Sequence, residues 1–333
     1  MLNFGQPFGL MHQDSDFIEA LINKLKDTEG RTMDYQYFTT DVFTNKKFSG
    51  AAIAVFPDAR GLTDQSMLQL AREINQLQTV FVDTSTTAEH PRLKVFSPQG
   101  EAPVGSHTSV AAAHVLAKLG ASTEDRDAFV FEHNSGFIKA HVDKVEQQPV
   151  FTQISLSTVP IIDHYTPTVS EIADMLMLTI NDIEQLRYNS MQVATDTRYL
   201  IVPLRSLKAL KQAKFNLSAW GRTSAASSLV EEILLFSTET EQDIANFHFR
   251  LVGPDIANHS NPAVGSAIPA FSAYLCADKK TRTGTHMFSV ERGYSVSRQS
   301  ILNVEFDHKD EPELTVRIGG EVVISTQGSV SVD

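Results

Sequence analysis

Two stretches of this chain ask for the same unusual environment. "PVGSHTSVAAAHVL" (residues 103–116) opens on a glycine turn and enters a run of small residues with no charge. "VGSAIPAFSAYL" (264–275) repeats both the opening and the composition. A helix that is small or apolar on every side has no face to give to water and must be buried. Strand-like segments flank both stretches, so a sheet wrapped around each helix satisfies the pattern. Pro269 fits this reading, because only a first helical turn tolerates a residue without an N–H. The expectation is two buried helices, 108–120 and 265–277, whose N-termini face a shared cleft.

The surrounding texture supports two similar halves. "YQYFTTDVF", "AAIAVF", "TVFVDT" and "RLKVFSP" have β-rich composition, while "TDQSMLQLAREINQ" reads as a helix capped by Thr63, with Met67, Leu70 and Ile74 on one face. "AFVFEHNSGFIKAHVD" is a strand, a turn at Gly136 and a strand. The second half uses strands "FTQISLS", "RYLIVPL", "EEILLFST" and "ANFHFRLVG" with helices "VSEIADMLML" and "SLKALKQ". It closes on a meander of three strands, "ILNVEF", "ELTVRIGG" and "EVVIST". Residues 1–33 form an appendage in which Asp16 caps an amphipathic helix bearing Phe17, Leu21, Ile22 and Leu25. Met33 offers a second start codon, so this appendage is expected to be dispensable.

At 333 residues the chain exceeds a single ordinary core. A net charge of −12 without a Lys/Arg cluster speaks against nucleic acid as partner. No run approaches the roughly 18 apolar residues of a membrane helix, and the N-terminus lacks the pattern of a secretory signal. A single cysteine, Cys276, excludes an internal disulfide and favours the cytoplasm. It falls late in a helix, away from both helix starts, and is not expected to be a nucleophile. His114 follows His107 by two helical turns, but no carboxylate completes a metal pattern. "GEAPVGSH" (100–107) has P-loop glycine spacing but carries Ser106 and His107 where Lys and Ser/Thr are required.

From Met33 to its C-terminus the chain resembles the PhzF-like phenazine-biosynthesis proteins, which share the diaminopimelate epimerase fold. The resemblance rests on ordered landmarks: "DVFTNKKFSGAAIAVFPDARGL", "LAREINQLQTVFV", "VFSPQGEAPVGSHTSVAAAHVLAKLG", "TRYLIVPLRSLKAL", "SNPAVGSA" and "RGYSVSRQS". It implies an α+β fold of two similar lobes, each a mixed sheet around a central helix, with the active site between them. Residues 34–150 would form the first lobe, with the terminal strand 320–333 available to complete it, and 151–319 the second. It further implies a homodimer, no metal or organic cofactor, and chemistry that removes and returns a proton.

The site residues carried over depart from the family pattern. The family's proton-shuttling glutamate, in N-x-S-E-T-x-F, falls on Gln78 of "NQLQTVF"; the aspartate of E-D-P-A-T-G-S-A falls on Asn261 of "SNPAVGSA". The G-N-P asparagine falls on Ala51, while the A-G-H-P turn becomes "GSHT", keeping His107 and placing Ser106 at the glycine. An amide keeps the shape of a carboxylic acid but takes up no proton near neutral pH. Loss of a positioned base costs about 10²–10⁴-fold in rate. His107 is thus the remaining proton-transfer candidate, against a plainer role in ordering its turn. Gly105, Ser106, Gly265 and Ser266 sit at two helix starts, where free N–H groups and the dipole favour a small carboxylate. Gln78, Asn261 and Ala51 would position it. Three readings stay open: an isomerase-class enzyme, a lapsed binder of a small acid or a protein, and a structural dimer.

Overall fold

In the computed structural model the described residues are 33–84, 90–120, 126–133, 136–254, 256, 262–277, 281–294, 297–309 and 311–332. The helix expected within residues 1–33 therefore lies outside them. Strands β1 (Met33–Val42) and β2 (Ala51–Phe56) lead to helix α1 (Asp64–Ile74), then β3 (Gln78–Asp83), β4 (Arg92–Ser97) and β5 (Gly100–Ala102). Helix α2 (Ser106–Leu119) precedes β6 (Arg126–His133), β7 (Gly136–Val145), β8 (Gln148–Thr158) and β9 (Ile161–Asp163). Helix α3 (Val169–Leu176), β10 (Met191–Ala194) and β11 (Arg198–Pro203) follow. Three short helices, α4 (Leu207–Gln212), α5 (Leu217–Trp220) and α6 (Ser224–Ser227), lead to β12 (Glu232–Ser237) and β13 (Phe247–Val252). A 3₁₀ turn at Gly265–Ala267 runs into α7 (Ile268–Cys276), and β14 (Gly284–Tyr294), β15 (Ser297–His308) and β16 (Leu314–Val332) complete the chain.

The strands pair in the order β1-β2-β3-β4-β6-β7-β8-β16-β15-β14-β13-β12-β11-β10-β9, with β5 beside β4 and β16 also paired with β1. The extra pairing runs from Met33↔Val332 to Val42↔Val322 and closes the first lobe into a ring. Helix α2 fills that ring: every residue from Ser106 to Ala117 is buried. Its alanines and serines leave the strands room to close, where a Leu-rich helix would hold them apart. The second lobe curls its strands around α7, buried from Ile268 to Tyr274. There Phe271 meets Phe236, Phe247, Phe249 and Phe288 at centroid separations of 4.9, 5.0, 4.6 and 5.7 Å. Such edge-to-face packing adds to plain area burial. The two expected central helices are present, with the first beginning two residues earlier than the sequence suggested.

The lobes share a wiring pattern. In the first, β2 runs parallel to β3 across α1, and β3 is antiparallel to β4. In the second, β11 runs parallel to β12 across α4–α6, and β12 is antiparallel to β13. Helix α1 follows its expected capping: Thr63 Oγ1 accepts from the Ser66 N–H at 3.2 Å, and Asn75 in the left-handed region (φ 52°) ends the helix. That sharp stop brings the chain into β3 at Gln78.

Two expectations need correction. The closing meander is not three strands, because β16 runs unbroken from Leu314 to Val332. Gly319 and Gly320 make no turn; they let aromatic rings cross the strand. A Cβ on Gly319 would lie 2.8 Å from the Phe151 ring, and one on Gly320 2.7 Å from Phe43 Cδ1. The start of "GEAPVGSH", Gly100–Ala102, forms strand β5 rather than part of a glycine loop.

Enclosure of α2 has a measurable consequence. Ala112 has no exposed surface, so Ala112→Leu should overpack the ring and lower unfolding free energy by about 1–3 kcal/mol. Denaturant titration checks this; unchanged stability would mean that the helix is not enclosed.

Candidate active site

A cleft of about 400 Å³ opens where the two central helices begin. The helix starts do more than face each other. A Cβ on Gly265 would run into Ser106 Oγ and lie 2.7 Å from His107 Cε1 and 2.9 Å from Nδ1. Only a residue without a side chain allows this approach. Neither helix start has a side-chain cap or an acidic residue in its first turn. Their N-terminal N–H groups and dipoles thus converge on the cleft with no acidic residue in either first turn.

Gln78, Gly105, Ser106, His107, Gly265 and Ser266 all line the cleft. Ala51 does not: it opens β2 opposite Val42 and is 2% exposed, packed in the core. Its expected contact with a ligand is therefore corrected to a packing role. The small side chain suits that buried start of a strand. Asn261 lies outside the described residues. Asp83 stands at the far end of β3 from Gln78, too far to substitute for it.

His107 is sealed in. Its ring lies edge-on to Phe43, with centroids 5.0 Å apart, and Nε2 has no hydrogen-bond partner among the described residues. Burial, helped by the nearby Arg292 charge, pushes its pKa down to about 3. The imidazole is therefore neutral at physiological pH. In this resting state it is a weak proton acceptor and a good hydrogen-bonding group. Arg292, itself buried, donates from Nε to the Pro262 carbonyl at 2.8 Å and from Nη1 to Ser300 Oγ at 3.3 Å. Burial lowers its pKa only to about 10, so it remains a cation beside the cleft.

The second lobe contributes groups that the sequence reading missed. Tyr199 and Glu232 are register partners across β11 and β12, and both line the cleft. The Tyr199 hydroxyl hydrogen-bonds with Ser266 and Thr197, while burial and the charge of Glu232 raise its pKa. Asp196 of the second lobe and His133, which ends β6 of the first, also line the cleft; burial lowers the His133 pKa against the pull of Asp196. The sequence carried no signal for them: that Glu232 opens β12 as Gln78 opens β3 shows only in the strand pairing.

The other flagged residues lie elsewhere. His114 is buried on α2, with Nδ1 3.2 Å from Thr152 Oγ1, and burial brings its pKa to about 4. Cys276 ends α7 outside the cleft, and burial pushes its thiol up to about 11. Both facts speak against a nucleophile there. Among the described residues, no three His, Cys, Asp or Glu side chains gather as a metal site requires. No helix among them is long and apolar enough to cross a membrane.

Two lobes of mixed sheet around central helices, joined at a cleft where the helices begin, define a protein of the diaminopimelate epimerase-like fold. The sequence pattern of the phenazine biosynthesis-like proteins matches residues 40–328, and the chain belongs to that family. It is 26% identical over 299 residues to an uncharacterized isomerase of Mesorhizobium japonicum, covering 89% of this chain and 98% of that one. The trans-2,3-dihydro-3-hydroxyanthranilate isomerase of Pseudomonas aeruginosa is 26% identical over 132 residues, 40% of this chain and 46% of its own. A PhzF-family crystal structure from Bacillus anthracis superimposes with a TM-score of 0.78 at 22% identity, covering 90% of this chain and all of that one.

The buried histidines make stability depend on pH. Unfolded histidine takes up a proton below about 6.5, whereas folded His107 and His114 resist until about 3 and 4. Acid therefore favours the unfolded chain: the stabilisation is full above pH 6.5 and is lost as pH falls toward the folded values. Each histidine should contribute about 1.4 kcal/mol per pH unit inside that window. Denaturant melts from pH 7 to 4 should show H107Q and H114Q each flattening the slope by that amount. An unchanged slope would mean that neither imidazole is held neutral by burial.

Proposed function

We propose that this protein is a cofactor-independent isomerase that moves a proton within a small carboxylated or cyclic metabolite, with the family's own step altered. The observation that carries the reading is the meeting of two uncapped helix starts at one cleft. A carboxylate there would accept hydrogen bonds from backbone N–H groups, and Arg292 would add long-range attraction. The named activity of the Pseudomonas relative, on a hydroxylated dihydro-anthranilate, supports the substrate class.

The alteration follows from Gln78 and Asn261 at the positions of the family's acids. Gln78 lines the cleft, as a group that orients a ligand would, but its amide cannot accept a proton. His107, neutral and enclosed, is suited to hydrogen bonding or to receiving a proton only after a ligand changes its surroundings. A lapsed binder of small acids is the second reading, favoured by that combination of an amide and an unprotonated imidazole. The proposal carries with it a cytoplasmic homodimer, in keeping with the single cysteine and the charge of −12. It also divides the chain at 34–150, completed by 320–333, and 151–319; the β1–β16 pairing supports that completion.

Solvent exchange tests the reading. In D₂O the native protein should incorporate deuterium into trans-2,3-dihydro-3-hydroxyanthranilate, and Q78E/N261D should raise that rate by at most about 10²–10⁴-fold. Native exchange as fast as that of the Pseudomonas isomerase would contradict the altered step. Tight binding of anthranilate with no exchange in either form would favour the lapsed binder.

A further inference from the structure

The proton-carrying group of this cleft has moved from the first lobe to the second: we propose that Glu232 is the acid–base residue. The inference rests on the isomerase reading above and names the residue that would perform its proton transfer. Three observations carry it.

The first is topological. Gln78 is the first residue of β3, the strand that follows a helical crossover and runs parallel to β2; its register partner is Ile53. Glu232 is the first residue of β12, which follows the corresponding crossover and runs parallel to β11; its register partner is Tyr199. The two positions are equivalents under the internal repeat of the fold. One holds an amide, and the other a carboxylate.

The second is placement. Glu232 and Gln78 line the same cleft, together with both helix starts. Glu232 is half-buried, and its Oε2 is sealed from bulk water. The Oε2 offers no surface to a ligand either, so contact with a ligand falls to the part of Glu232 that stays accessible in the cleft. A substrate carboxylate held at the helix starts would present its carbon skeleton between the walls that bear Gln78 and Glu232.

The third is its surroundings. The Tyr199 ring stands beside Glu232, and the tyrosine hydroxyl is tied to Ser266 at the second helix start. The acid is thereby coupled to the place where the substrate carboxylate would sit. Among the described residues, the other ionisable groups on the cleft wall are Asp196 and His133, which interact with each other, and the neutral His107.

The step balances without a co-reactant. The Glu232 carboxylate takes a proton from a substrate C–H and becomes a carboxylic acid, while the C–H electron pair delocalises into the adjoining unsaturated system. The same carboxylic acid then returns the proton to a different carbon of that anion, and the double bond shifts. Nothing is oxidised or reduced, and no group leaves.

Three proteins decide the matter: the native chain, E232Q and E232D. Each is given trans-2,3-dihydro-3-hydroxyanthranilate in D₂O for exchange, and anthranilate for calorimetry. The proposal predicts that E232Q loses about 10²–10⁴-fold in exchange, while anthranilate affinity stays within a few-fold and E232D retains part of the rate. Unchanged exchange in E232Q would overturn the role of Glu232 and leave the isomerase reading standing. A native chain that binds anthranilate but exchanges no deuterium would overturn the isomerase reading, and the Glu232 role with it. A native chain that neither binds anthranilate nor exchanges would overturn the isomerase reading, and the Glu232 role with it.

Discussion

The approach of Gly265 to Ser106 and His107 is the constraint on which the rest of the molecule turns. Two helices can begin against each other only if one contributes bare backbone at the point of contact, and here a Cβ would lie 2.7 Å from the His107 ring. That contact brings both positive helix ends to one place and seals His107 away from water. It also sets the cleft that the walls must fit. Enclosure of both helices follows from the same need, since neither has a polar face to offer solvent.

The electrostatic consequence is a pocket without the usual titrating histidine. Burial and the Arg292 cation hold His107 neutral. Two helix starts and a buried guanidinium bring positive character to one end of a cleft that also carries the Glu232 and Asp196 carboxylates. Local dipoles and one buried cation, rather than the overall charge, would select the ligand. Under the proposed function a small acid binds at the helix starts, and the Glu232 carboxylate of the second lobe supplies the proton chemistry.

Much of the fold was legible in the sequence because its strongest signals are compositional. Runs of Ala, Ser and Gly around 105–117 and 265–275 admit few environments other than a surrounding sheet, and Thr63 and Asn75 act as the local end signals they resemble. The candidate site was legible only in part. His107, Gln78 and the two Gly-Ser turns were found through motifs and do line the cleft. Glu232 was not, because equivalence between β3 and β12 is a property of strand pairing and leaves no shared letters. Ala51 was misassigned for the converse reason, since a motif position carries a role only where the side chain reaches the cleft. Gly319–Gly320 resembled a turn because sequence alone cannot show the Phe43 and Phe151 rings that lie against it.

The account stands or falls on where a small acid binds. A crystal structure of the native chain with anthranilate measures this directly. The account predicts a carboxylate within hydrogen-bonding distance of backbone N–H groups at the starts of α2 and α7, with the ring between Gln78 and Glu232. A carboxylate placed away from both helix starts, with the cleft still empty, would contradict it.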